Sequence, residues 1–158
     1  MFHLRVDGRR REVPPHSPPR RCATVAPAGN APHAAHVFYA VDGGLRLIFL
    51  SKTTSLHGQD IGKEARVAVT VSEEYEDWRL IQGVQLWGTA RLLTGKDGAR
   101  ALARYVRRFP FARELLSAPG LAARLREIGI YRVDPERAGY TDNTSGVFGR
   151  ETLELMPD

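Results

Sequence analysis

Four hydroxyls, one ammonium and one imidazole fall within seven residues: Ser51, Lys52, Thr53, Thr54, Ser55, Leu56 and His57. A phosphate monoester calls for this mixture, with hydroxyl and backbone donors for its oxygens and a cation for its charge. A helix starting after Thr54 would add free N–H groups and a favourable dipole. The same residues also suit an ordinary strand-to-helix turn, with Thr53 or Thr54 as the cap.

Two further stretches could meet a ligand. In Ile81–Gly88, Gln85 and Gly83 share one face of a strand, and Gln82 and Val84 share the other. Gln85 therefore points either to solvent or to an interior, where its amide needs a partner. Near the C-terminal end, Tyr140 to Arg150 forms a polar turn carrying Asn143 and Arg150, which fits a ligand clamp or a plain loop. No metal cluster is expected: His33 and His36 stand three apart, on opposite faces of a strand, with no carboxylate motif beside them. No Walker A motif or dinucleotide glycine motif is present, and no catalytic acid or base stands out.

The elements that must position these residues are mostly strands. Strands are predicted over 21–26, 33–41, 45–50, 66–71, 81–93, 128–133, 137–142 and 151–155. The clearest is 66–71, where Val67, Val69 and Val71 alternate with Ala68 and Thr70. Asp42-Gly43-Gly44 reads as a hairpin turn. Helices are predicted over 55–63, 98–109, 111–116 and 121–127, the second from Leu102, Tyr105, Val106 and Phe109 at helical spacing. Strands outnumber helices at hairpin spacing, which favours a mainly β fold, a barrel with helical insertions, over a βαβ sheet.

A length of 158 residues gives one domain. The net charge of +5 invites a nucleic-acid reading, but its distribution argues against one. Residues 1–21 hold six arginines against Asp7 and Glu12, whereas the rest hold 17 basic and 16 acidic groups. Residues 1–20 also carry Pro14, Pro15, Pro18 and Pro19, so they read as a disordered or non-family basic tail before a domain over 21–158. No apolar run reaches membrane-spanning length. A single cysteine, Cys22, cannot form an internal disulfide. A cytoplasmic location is the default expectation.

In order along the chain, Thr24-Val25-Ala26-Pro27-Ala28-Gly29-Asn30-Ala31-Pro32-His33, Val37-Phe38-Tyr39, Leu45–Ser51, Ser55-Leu56-His57, Arg66–Thr70, Gly83–Leu86 and Gly88-Thr89-Ala90 resemble the pyridoxamine 5'-phosphate oxidase-like FMN-binding split-barrel family. The segment Asp142-Asn143 to Phe148-Gly149-Arg150 resembles a small branch of it, apart from the authentic oxidase. That enzyme carries a C-terminal Trp and Arg motif, whereas the tryptophans here are Trp78 and Trp87. The resemblance implies a six-stranded Greek-key split barrel and a homodimer with FMN at the subunit interface. It implies an FMN-dependent oxidoreductase of unspecified small-molecule substrate. The alternative is a split-barrel dimer without turnover, acting as a flavin- or haem-binding module. By position, Ser51, Lys52, Ser55, Leu56 and His57 would meet the phosphate and ribityl chain. Val37, Phe38 and Tyr39 would lie along the flavin ring, Gln85 would reach it across the dimer, and Asn143 and Arg150 would close the substrate side. Family members commonly place Lys or Arg where His57 stands, and His is the weaker cation at neutral pH.

Overall fold

Val67, Val69 and Val71 are buried, whereas Arg66, Ala68 and Thr70 are exposed. This two-residue period belongs to a strand with one face on a core. In a computed structural model, which describes residues 3–6, 9–12, 22–28, 31–43, 45–117, 127–145 and 150–155, that strand is β6 (Glu64–Ser72). It pairs antiparallel with β3 (Cys22–Pro27) on one side and β7 (Gln82–Leu93) on the other.

The ring continues through β4 (Ala35–Val41), β5 (Leu47–Lys52) and β8 (Ile128–Asp142). Strand β3 pairs β4, β4 pairs β5, β5 pairs β8 and β8 pairs β7, which closes a six-stranded antiparallel barrel. The β5-to-β6 connection runs through α1 (Leu56–Ile61) and carries the chain across to β3, as in a Greek key. The interior holds Val25, Tyr39, Leu47, Phe49, Leu86, Tyr131 and Val133, each at most 3% exposed. Burying each such side chain contributes roughly 1.5–3 kcal/mol.

A second apolar layer lies outside. Helices α2 (Gly95–Arg108) and α3 (Pro110–Ser117) bring Ala101, Tyr105, Phe109 and Ala112 against Ala40, Ile48 and Ile130. Tyr105 donates its hydroxyl to the Phe38 carbonyl at 3.3 Å, tying α2 to β4.

Strand β8 is one element where two were predicted. Pro135 interrupts the sequence pattern but not the strand. It faces Gly88 where the β7–β8 register shifts, and a Cβ at Gly88 would run into Asp134 O and Pro135 Cα. A proline without N–H is tolerated at such a bulge. The bulge also separates two partners: β8 pairs β5 through Val133, then β9 (Arg150–Glu154) from Arg137 onward. Elsewhere, β4 begins at Ala35, two residues later than predicted, so His33 lies before the strand.

Strands β1 (His3–Val6) and β2 (Arg9–Glu12) pair with each other and form a sheet separate from the barrel. They fall within the stretch expected to be a tail; residues 13–20 of it lie outside the described residues, as do Gly44 and most of the helix predicted over 121–127.

Candidate functional site

The turn between β5 and α1 gathers its polar side chains. Ser55, not Thr53 or Thr54, is the N-cap: it has extended backbone, and its Oγ accepts from Gly58 N at 3.2 Å and donates to the Lys52 carbonyl at 2.6 Å. Thr53 is drawn away, bonding the Glu127 carbonyl through its N–H at 2.7 Å and its hydroxyl at 3.1 Å. Capping fixes the first turn of α1 so that His57 folds back over the end of β5. His57 Nε2 lies 2.5 Å from Ser51 Oγ and 3.3 Å from Ser55 Oγ, and the two hydroxyls are 3.5 Å apart. Lys52 is exposed on the same turn, and Leu56 is 71% exposed beside it.

A second histidine joins from the loop before β4. His33 Nδ1 lies 3.3 Å from Asp60 Oδ2 and 3.3 Å from the Ala31 carbonyl. Two acceptors on one ring nitrogen place the proton on Nδ1. Asp60 follows His57 by three residues on α1, so both face one side of the helix. Burial, and then the nearby His33, hold the His57 imidazole below its ordinary pKa. In the sequence, Asp60 is signalled only by its i, i+3 spacing from His57, and nothing there shows that His33 meets this helix.

The remaining predicted residues fall elsewhere. Gln85 lies on the outer face of β7 and accepts a hydrogen bond from Arg150 Nη2 at 2.6 Å. Next to it, Trp87 stacks under the Arg137 guanidinium at 4.4 Å, with Arg150 at 5.8 Å. Val37 and Tyr39 point into the barrel core, whereas Phe38 points outward and packs edge-on against Phe109 and Phe111. Asn143 donates to the Trp78 carbonyl at 2.7 Å, joining two short 3-10 turns, Trp78–Leu80 and Asn143–Ser145. Ser51, Ser55 and His57 thus form one cluster, Gln85 and Arg150 a second, and Asn143 a tie between turns. His36 sits on the outer face of β4, 3.2 Å from Thr24 Oγ1. Among the described residues no cluster of three or more His, Cys, Asp or Glu could hold a metal ion, and no helix is long and apolar enough to cross a membrane.

The outer face of the sheet carries two rows of side chains in register. The row Thr24, Thr70, Gln85, Gly139 runs in register across β3, β6, β7 and β8, beside the row Ala26, Ala68, Trp87, Arg137.

A six-stranded antiparallel barrel closed through β5 and β8 is the architecture of the split barrels related to pyridoxamine 5'-phosphate oxidase. The sequence profile of pyridoxamine 5'-phosphate oxidase matches residues 7–141, and the chain belongs to that family. It is 39% identical over 118 residues to a UPF0306 protein of Klebsiella pneumoniae, a match covering 74% of this chain and 72% of that protein. Among solved structures it is similar to a heme binding protein from Mycobacterium smegmatis (TM-score 0.67, 17% identity, 85% of this chain); it spans about half that protein's length, 52%. It is also similar to an FAD-binding protein from Mesorhizobium loti (TM-score 0.56, 18% identity, 76% of this chain and 84% of that one). At such identities the likeness is one of fold.

Proposed function

We propose that the protein is an FMN-binding flavoprotein and an oxidoreductase, working as a homodimer with the cofactor at the subunit interface. One observation carries the reading: in a chain of this family, Ser51, Ser55 and His57 converge on a single turn beside the exposed Lys52. This set fits a phosphate monoester, with the Ser51 hydroxyl and a ring nitrogen to bond its oxygens and an ammonium to balance its charge. The flavin, when bound, supplies the redox chemistry, and the protein supplies position and electrostatics.

The chain's own residues then divide the work. Ser51 turns its hydroxyl to the phosphate, Ser55 holds the turn in place as the cap of α1, and Lys52 adds the charge. Leu56, exposed on the first turn of α1, covers the ribityl chain. Gln85, oriented by Arg150, offers its amide to the uracil-like edge of the flavin ring from the partner subunit. Because Val37 and Tyr39 belong to the core, β4 contributes its backbone and Phe38. Asn143 and Arg150 border the substrate side. The outer face, where alanine, threonine and glycine alternate with Gln85, Trp87 and Arg137, offers a surface to a second copy about a two-fold axis.

A second reading is favoured by His57 itself. A half-buried imidazole of lowered pKa is a weaker anion anchor than the Lys or Arg common in the family. The same dimer would then act as a flavin- or haem-binding module without turnover. Titration with FMN, with riboflavin as the phosphate-free comparison, separates the two. A working phosphate grip makes FMN bind at least about tenfold tighter than riboflavin, as expected for charge-assisted hydrogen bonds. Equal affinities favour the module, and a Soret band on adding hemin would identify its ligand as haem.

A further inference from the structure

Arg66, Arg91, Arg104 and Arg132 each meet a carboxylate, at 2.8, 3.0, 3.3 and 2.9 Å. Arg137 and Arg150 do not: among the described residues neither has an acidic partner. Both lie instead against one indole, with their guanidinium carbons 4.4 and 5.8 Å from the Trp87 ring centroid. The Arg137 Nε is buried and bonds no acceptor among the described residues, so stacking on the indole holds this side chain. Arg150 bonds only the neutral amide oxygen of Gln85, at 2.6 Å. The acid opposite Arg137 in register, Glu154 of β9, is exposed and forms no ion pair with it.

Three strands build the arrangement. Trp87 and Arg137 are directly opposed on β7 and β8, and Gln85 and Gly139 are the next pair along the same face. Gly139 supplies the room: a Cβ there would lie 3.3 Å from the Trp87 ring and 3.7 Å from Arg150 Nη2. The edge of the indole therefore lies close over Gly139, and Arg150 reaches from β9 across to Gln85. Two guanidiniums on one ring, without an acid, repel each other. An oxyanion relieves that repulsion, and its paired oxygens match the planar fork of arginine.

We infer that Trp87, Arg137 and Arg150 form a binding site for an oxyanion, the carboxylate or phosphate group of a small-molecule substrate. Arg137 supplies the fork that bonds the anion, Arg150 adds its charge, and Trp87 holds both side chains in place. The site belongs to β7, β8 and β9, whereas the turn proposed for the cofactor phosphate belongs to β5 and α1. Assigning the anion to a substrate rests on the flavin reading, in which Gln85, bonded to Arg150, meets the flavin ring. The oxyanion site itself stands on the stacking and on the missing acid, without that reading.

The experiment titrates the full chain with acetate and, separately, with inorganic phosphate, at constant ionic strength and against chloride. It follows tryptophan emission in a Trp78→Phe background, where Trp87 is the remaining indole. At least one of the two oxyanions should give a saturable change that chloride does not, and the tighter one names the group. Arg137→Gln should weaken that binding about tenfold or more, as for a lost charge-assisted hydrogen bond. Arg150→Gln, at an exposed position of edge strand β9, should weaken it too without touching the barrel ring. No saturable change with either oxyanion, or unchanged affinity in both variants, overturns the inference. So does dissociation of a dimer by Arg137→Gln with no response to either oxyanion, which would give the guanidinium to a carboxylate of a second copy. Repeating the titration on FMN-loaded protein separates the two readings. The bound oxyanion should shift the flavin bands, and bands that stay in place overturn the assignment to a substrate. FMN binding with no oxyanion response sinks the site and leaves the flavin reading. Oxyanion binding by a protein that takes up no FMN leaves the site and sinks the flavin reading.

Discussion

The Nε2 atom of His57 lies 2.5 Å from the Oγ of Ser51, joining the first turn of α1 to the end of β5. The contact exists because Ser55 caps α1 and turns His57 back over the strand. A hydrogen bond to a charged group contributes roughly 1.5–3 kcal/mol. Ser51→Ala should therefore weaken FMN binding about tenfold or more, as measured by quenching of flavin fluorescence, with no loss of fold by circular dichroism. Ser55→Ala should weaken FMN binding as well and also lower stability by about 1 kcal/mol through loss of the cap. Unchanged FMN affinity in both variants would remove the hydroxyls from the phosphate site.

Phe49 and Tyr131 stack in the barrel interior with centroids 5.2 Å apart and planes at 14°. Both are fully buried. They belong to β5 and β8, the pair that closes the barrel, at directly opposed positions. Phe49→Ala should cost about 3–5 kcal/mol of stability, read as a lower urea midpoint. A cost below about 1 kcal/mol would mean that the closing seam is not a packed core.

Tyr105 links α2 to β4 through its bond to the Phe38 carbonyl. Burial, and then the Cys22 thiol nearby, push its hydroxyl up to about 12. The folded state therefore holds this proton more tightly than the unfolded state, where the ordinary value is about 10. The resulting stability is present below pH 10 and is lost as the pH rises from there toward 12. Alkaline unfolding should lie in that window. Tyr105→Phe should flatten the pH dependence there, while at pH 7 it costs only the lost hydrogen bond, about 1 kcal/mol. An identical alkaline slope in the variant would contradict this role.

Ala68 is exposed on the outer face, between Ala26 and Trp87. A long cation there would block a second copy while leaving the core untouched. Sedimentation should give a particle of twice the 17.6 kDa chain mass for the native protein and of the single chain mass for Ala68→Arg. FMN binding should weaken in the same variant, because in the proposed dimer Gln85 reaches the cofactor across the interface. A dimer that survives Ala68→Arg would place the interface elsewhere.

The barrel was legible where one face of a strand is buried. Val67, Val69 and Val71 announced β6, and Leu102, Tyr105, Val106 and Phe109 announced α2, because burial imposes a period on the residue types. The family resemblance added the ring order, which no local pattern contains. Pro135 misled: it splits the pattern into two strands, but the bulge opposite Gly88 absorbs it. The hydroxyl-rich turn was also legible, since its residues are adjacent in sequence. The His33–Asp60 pair was not, because the contact depends on how the loop before β4 meets α1 in three dimensions. The cap falls on Ser55 rather than Thr53 or Thr54: the three have similar cap chemistry, and the long-range bond from Thr53 to Glu127 separates them. Gln85 was undecided between its two faces; its bond to Arg150, sixty-five residues away, fixes it on the outer one.

The central claim is that this barrel carries a flavin at the Ser51–His57 turn. The most direct measurement is the absorption spectrum of the purified protein before and after addition of FMN and removal of the excess by gel filtration. A yellow protein with flavin bands that co-elute with it is expected, with loss of those bands in a Ser51→Ala, His57→Gln double variant. A colourless protein that retains no added FMN would contradict it.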